Sequence, residues 1–171
     1  MQMINNCKLK IGLDYHGVIN NNPVYFSLFC NKLKQRGHSL YIITGGPGLL
    51  IKEKLETYEI NYDMCFAVSD YYQAQGQISQ TKDGFLVIPD NLWNMAKGDF
   101  CLRNNINLHI DDSLRYAKYF STPFCHYDKN THLGHIFPDT TIDFNISIDK
   151  VLDKIEKTIS ASPKGFITPE V

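Results

Sequence analysis

Three polar clusters in this chain have side chains suited to reaction chemistry: Asp14 with His16 in "IGLDYHGVIN", Thr44 with Gly45 and Gly46 in "LYIITGG", and Asp111 with Asp112 in "LHIDDS". A carboxylate can attack an electrophile or hold a hard cation, an imidazole titrates near neutral pH, and a hydroxyl beside glycine amides can receive an anion. Each cluster also has an ordinary structural explanation. Asp before a glycine turn is a turn former, Thr before Gly-Gly is a strand end, and Asp-Asp-Ser ahead of Leu114 is a helix N-cap. What favours chemistry is coincidence. All three clusters fall just past the ends of apolar strands, and in an open parallel sheet that rim is where ligands bind.

The elements that must position these groups follow from hydrophobic period and turn signals. Leu9, Ile11 and Leu13 alternate with Lys8, Lys10 and Gly12, which predicts a strand ending at Asp14. An Asn-rich turn and Pro23 precede a helical pattern over 24–36, with Gly37 at its C-terminal cap. Leu40 to Ile43 reads as a buried strand and Leu49 to Tyr58 as a helix. "DMCFAVSDYY" is expected to be a third strand, and "GFLVIP" a short one, paired as a hairpin after the polar stretch from Gln73 to Lys82. A helix over 91–104, a strand over 106–110, a helix opening at "DDSLRYAKYF", a last strand at "PFCHYD" and an amphipathic helix over 146–159 complete the chain. Alternation of strand and helix favours a parallel sheet with helical crossovers.

In order, "IGLDYHGVI", "LYIITGG", Lys97 and "LHIDDS" resemble the four motifs of the haloacid dehalogenase-like (HAD) superfamily, most of whose members are phosphohydrolases. The similarity spans residues 9–113, and "NLHIDDSLRY" is also similar to the nucleotidase-like branch, including 5'(3')-deoxyribonucleotidases. The resemblance implies a three-layer, Rossmann-like α/β fold: a parallel sheet with helices on both faces, in one domain over 1–160 followed by a tail over 161–171. It implies Mg²⁺-dependent hydrolysis of a phosphomonoester, nucleotides included among the candidates, through an aspartyl phosphate. Asp14 would be the nucleophile. Mg²⁺ would be held by Asp14, the main-chain carbonyl of His16, and Asp111 or Asp112. Thr44, Gly45, Gly46 and Lys97 would receive the phosphoryl group, with Lys82 the competitor for the lysine role. The chain leaves no room for a large cap between these motifs, so the site would be open, admitting a bulky substrate or closed by a partner subunit.

Most phosphatases of the family read Asp-x-Asp, and the second carboxylate moves the proton in both half-reactions. Here that position is His16. An imidazole can serve as acid and base near neutral pH. Other readings are that His16 tunes the site towards a transfer needing little protonation, or marks a catalytically weak HAD-fold protein that binds phosphate or a partner.

Composition sets the outer bounds. The chain of 171 residues is 43% hydrophobic and 20% charged, with a net charge of −1, ordinary for a globular protein and lacking a broad basic field for nucleic acid. The five cysteines form no C-x-x-C pair, which favours reduced thiols. No segment approaches the roughly 20 apolar residues of a spanning helix, and the expectation is a soluble cytoplasmic protein without a membrane partner. Two side readings remain: a transition-metal site from His126, Asp128, His132 and His135, and base stacking on Tyr71, Tyr72, Phe85 and Trp93, residues that could equally be core.

Overall fold

The computed structural model describes residues 8–80 and 86–161. Strand β1 (Lys10–Leu13) sends Ile11 and Leu13 into the core, and a single 3-10 turn, Ile19–Asn21, leads to α1 (Pro23–Gln35). Pro23 occupies the first turn, where its missing N–H costs nothing. The Asn22 side chain accepts from the Tyr25 amide at 3.3 Å. There follow β2 (Ser39–Thr44), α2 (Gly48–Thr57), β3 (Met64–Ala67) and α3 (Val68–Ala74), then a two-stranded antiparallel ribbon of β4 (Ser79–Gln80) and β5 (Leu86–Val87). The chain continues through α4 (Asp90–Arg103), β6 (Leu108–Asp111), a 3-10 segment (Leu114–Tyr119), β7 (Phe124–Asp128), β8 (Leu133–Ile136), β9 (Thr140–Asp143) and α5 (Ile148–Ala161).

The seven-stranded sheet has the order β3-β2-β1-β6-β7-β8-β9. Its first five strands are parallel and the last two antiparallel, a Rossmann-like α/β arrangement. From β1 the chain runs outward to β2 and β3, then returns to add β6 on β1's other side. The gap between β1 and β6 is therefore the switch point of the sheet.

Hydrophobic residues cover both faces. One core joins Ile11, Leu13, Leu40, Ile42 and Ile110 to Phe26 and Phe29 of α1 and Val151, Leu152 and Ile155 of α5. The other joins Ile43, Phe66 and Phe124 to Ala96, Phe100 and Cys101 of α4, with Phe120. Close approach is built into the second core: a Cβ at Gly98 would lie 2.2 Å from the Tyr119 carbonyl oxygen, so only glycine lets α4 press on that backbone. Cys30, Cys65, Cys101 and Cys125 are free thiols; Cys7 lies outside the described residues. Among the described residues no helix is long and apolar enough to cross a membrane.

Three local expectations need correction. "DMCFAVSDYY" is strand only to Ala67 and then turns into α3, although no side chain caps that helix. The segment after Asp112 is 3-10 rather than α-helix; the Ser113 side chain makes no cap, and its amide donates instead to Asp111 Oδ1 at 2.9 Å. "PFCHYD" is not the last strand, because β8 and β9 follow it. Within "HLGH", Leu133 to His135 belong to β8, and His132 precedes the strand with φ +57. The region from Thr81 to Phe85, which includes Lys82, lies outside the described residues, as does the tail from residue 162 onward.

Candidate active site

Asp14 follows the last residue of β1, and its amide donates to the Ile110 carbonyl at 2.9 Å, which binds the turn to β6. Asp111 is the final residue of β6, and Lys97 comes from the buried side of α4. The Lys97 ammonium lies between the two acids, donating to Asp14 Oδ2 and Asp111 Oδ2 at 2.7 Å each. None of the three side chains is more than 6% exposed. The remaining carboxylate oxygens take backbone donors: the Tyr15 amide reaches Asp14 Oδ1 at 2.7 Å, and the Ser113 amide reaches Asp111 Oδ1. The Tyr116 ring covers the ammonium from 5.0 Å.

Burial on this scale reshapes the titration of all three groups, which act as one coupled unit. Burial alone would lower the Lys97 ammonium, but Asp111 and Asp14 outweigh it and hold the lysine charged well above its ordinary range. Burial would likewise raise the Asp111 carboxyl, and there Lys97 and His109 prevail, holding it far below the carboxylate range. For Asp14 the balance goes the other way. Burial, with help from the Asp111 charge, pushes its carboxyl up despite Lys97.

Asp112 is half-buried beside this group, with Lys129 Nζ 3.6 Å from its Oδ2, while its carbonyl accepts from His126 Nε2 at 3.1 Å. Gly17 makes the space for it. That residue has φ +73, and a Cβ there would stand 2.0 Å from Asp112 Oδ2, so glycine is required both by conformation and by volume. Asp14, Asp111 and Asp112 each offer one carboxylate oxygen, all within 4.8 Å of one another. Three hard oxygen donors facing one buried ammonium leave an excess of negative charge, and that donor set fits a small divalent cation such as Mg²⁺.

The other sequence candidates fall around this centre. Thr44, fully buried, ends β2, and its hydroxyl lies 3.4 Å from His16 Nδ1. The His16 side chain is exposed, its ring edge-on to Tyr15. Gly45 and Gly46 line an adjoining cleft of about 440 Å³ with Pro47, Ser69, Trp93 and Arg115. Lys97 is the lysine that meets Asp14 and Asp111, whereas Lys82 is outside the described residues.

Of the two side readings, the metal site needs correction, and the aromatic group divides between core and cleft. Among the described residues, His126, Asp128, His132 and His135 are not gathered as ligands. His126 is bound to the Asp112 carbonyl, Asp128 accepts from Asn130 and Thr131, His132 Nδ1 meets the Tyr127 hydroxyl at 2.6 Å, and His135 meets Thr141. Tyr71 and Tyr72 pack in and against the second core. Of the aromatics, Trp93 lines the cleft, its Nε1 donating to the Tyr116 hydroxyl, and Phe85 is outside the described residues.

His109 was not among the sequence candidates, yet its Nε2 lies 3.2 Å from Asp111 Oδ2. The available signal was the strand period: positions 109 and 111 of one strand share a face. Arg115 and Lys129 were also missed; the first is exposed on the 3-10 segment and the second on the turn after β7, where a basic residue carries no pattern.

No family model matches the chain, and no curated protein does. Among solved structures, a glycosyltransferase from Rickettsia africae ESF-5 is similar at a TM-score of 0.42 and 15% identity. The match covers 77% of this chain and 32% of that one, so the chain spans about a third of that protein's length.

Proposed function

We propose that the protein is a Mg²⁺-dependent phosphohydrolase of the HAD type, acting on a phosphomonoester through an aspartyl phosphate. The observation that carries this reading is the convergence of Asp14, Lys97, Asp111 and Asp112 at the switch point of the sheet, with three carboxylate oxygens within 4.8 Å. Nucleophile, counter-charge and cation ligands are all wanted within one such volume.

In this mechanism a carboxylate oxygen of Asp14 forms a bond to phosphorus as the ester P–O bond breaks, and the leaving oxygen takes a proton from His16. Water then attacks the aspartyl phosphate while His16 recovers a proton, which frees phosphate and regenerates Asp14. Lys97 favours the ionised form of Asp14 and so opposes, without cancelling, the burial that pushes its carboxyl up. The Thr44 hydroxyl and the Gly45 amide receive phosphoryl oxygens. Asp14, Asp111, Asp112 and the His16 carbonyl would hold Mg²⁺, which when bound supplies neutralisation of the charge on the transferring group. Between β3 and α4 the described chain is one short helix and a two-residue ribbon, which fits a minimal cap and an open site. The Trp93 cleft would then take the leaving group, a nucleotide among the candidates.

A second reading, a catalytically weak phosphate-binding or partner-binding protein of the same fold, is favoured by His16, which is exposed where relatives carry a carboxylate. Phosphate release across nucleotides, sugar phosphates and phosphorylated amino acids, with and without Mg²⁺, separates the two. The expected result is Mg²⁺-dependent turnover in the wild type and a loss of about 10³-fold or more in Asp14→Asn. Equal turnover in both removes Asp14 as nucleophile, and phosphate binding without release selects the second reading. His16→Asp should move the pH profile of turnover; an unmoved profile takes His16 out of proton transfer.

A further inference from the structure

His109 stands in β6 with its ring wholly buried, and no step of the mechanism above uses it. The ring lies parallel to Phe120, 5.1 Å between centroids and 6° apart in plane. Its Nε2 is 3.2 Å from Asp111 Oδ2, while Nδ1 has no hydrogen-bond partner among the described residues. The neighbouring strand is shaped around it. A Cβ at Gly12 of β1 would lie 2.8 Å from Nδ1, so an alanine there would press on the imidazole.

An apolar side chain would fill this space without stranding a buried polar atom, so packing does not account for the imidazole. The proton follows from the partners. With no acceptor near Nδ1 and a carboxylate at Nε2, the ring nitrogen that carries hydrogen is Nε2.

We infer that His109 is a positioning residue for the acidic centre, its Nε2–H fixing the rotamer of Asp111. One Asp111 oxygen then receives both Lys97 and His109, and the other, held by the Ser113 amide alone, keeps a lone pair for a cation. Without the imidazole, the carboxylate is steered by Lys97 and one amide, and the lysine is less firmly centred between its two acids. The inference rests on the proposed phosphohydrolase reading for its purpose, but not for its geometry.

Two variants and three readouts test it. His109→Phe keeps a flat ring on Phe120 and removes the donor; His109→Gln returns an amide N–H to the same reach. Nitrogen-15 spectra of the wild type, without metal or substrate, should show His109 with a protonated Nε2 and a bare Nδ1. Mg²⁺ affinity by calorimetry should fall by about 10–100-fold in His109→Phe and recover in His109→Gln. Turnover should follow with kcat reduced more than KM is changed. The opposite tautomer, wild-type Mg²⁺ affinity in a folded His109→Phe, or a Gln variant as impaired as Phe would each overturn the inference. A wild type that binds Mg²⁺ and shows the expected spectrum but hydrolyses nothing overturns the functional reading and leaves the positioning role standing.

Discussion

The molecule contains two clusters of like chemistry in opposite surroundings. At the switch point, Lys97 is shared by Asp14 and Asp111, with side-chain exposures of 4%, 6% and 0%. On the far face, Arg36 at the end of α1 reaches Asp149, Asp153 and Glu156 of α5 at 2.7–3.0 Å, and the three acids are 31–67% exposed. His38 adds to the second cluster, accepting from the Leu9 amide at Nδ1 and donating from Nε2 to Glu156 at 2.9 Å. The exposed cluster is a clamp between two helices. Water screens it, and each of its pairs contributes little. The buried one carries the full cost of removing charges from water and gains no packing from them. An expensive arrangement at the rim of a sheet is what the proposed chemistry would require, while the inexpensive one on the surface ties two helices together.

The comparison can be broken or sharpened by removing each cation. The largest effect is expected from Lys97→Met, which leaves buried carboxylates without a counter-charge. Stability by chemical denaturation should fall by about 3–5 kcal/mol, limited by Asp14 taking up a proton, and turnover should disappear. Wild-type stability in this variant would show that the triad is not dry. Arg36→Ala should cost only about 1 kcal/mol, seen as a Tm lower by about 2–4 °C. In 1 M NaCl that deficit should shrink, while the Lys97→Met deficit should not.

The smallest effect is a pH dependence. Burial alone would raise the Glu156 carboxyl, but His38 and Arg36 outweigh it and hold it low; Arg36 and Lys32 hold Asp149 low as well. A carboxyl depressed on folding contributes stability above its unfolded value, and that contribution is lost as pH falls through the folded value. The Tm difference between wild type and Arg36→Ala should therefore be constant near neutrality and close as the pH drops below about 4. A difference that widens in acid would contradict the clamp.

The candidate site was legible in the sequence to the extent that its residues sit where strands stop. Asp14, Thr44 and Asp111 each end an apolar run, and such a boundary is a local signal. Lys97 needed the family resemblance, because a buried lysine looks like any other until its partners are known. His109 was hidden by its setting, since a polar residue inside an apolar strand reads as interruption rather than device. The edge of the sheet was harder. β8 and β9 are four residues each, half-exposed, and their "LGHI" and "TTID" show little alternation, so pairing with β7 rather than pattern defines them. The 3-10 segment after Ser113 escaped for a related reason: a capping sequence is present, but its serine side chain caps nothing.

The contact between Gly98 and the Tyr119 backbone has a mechanical meaning for the lysine one position earlier. A helix seated directly on main chain has no compressible layer beneath it, so the depth to which the ammonium projects is gauged by the absence of a single methyl group. Widening that seat would withdraw the charge from between its acids without altering any residue that touches substrate. A rate defect would in this way arise beneath α4, where the helix meets the 3-10 segment.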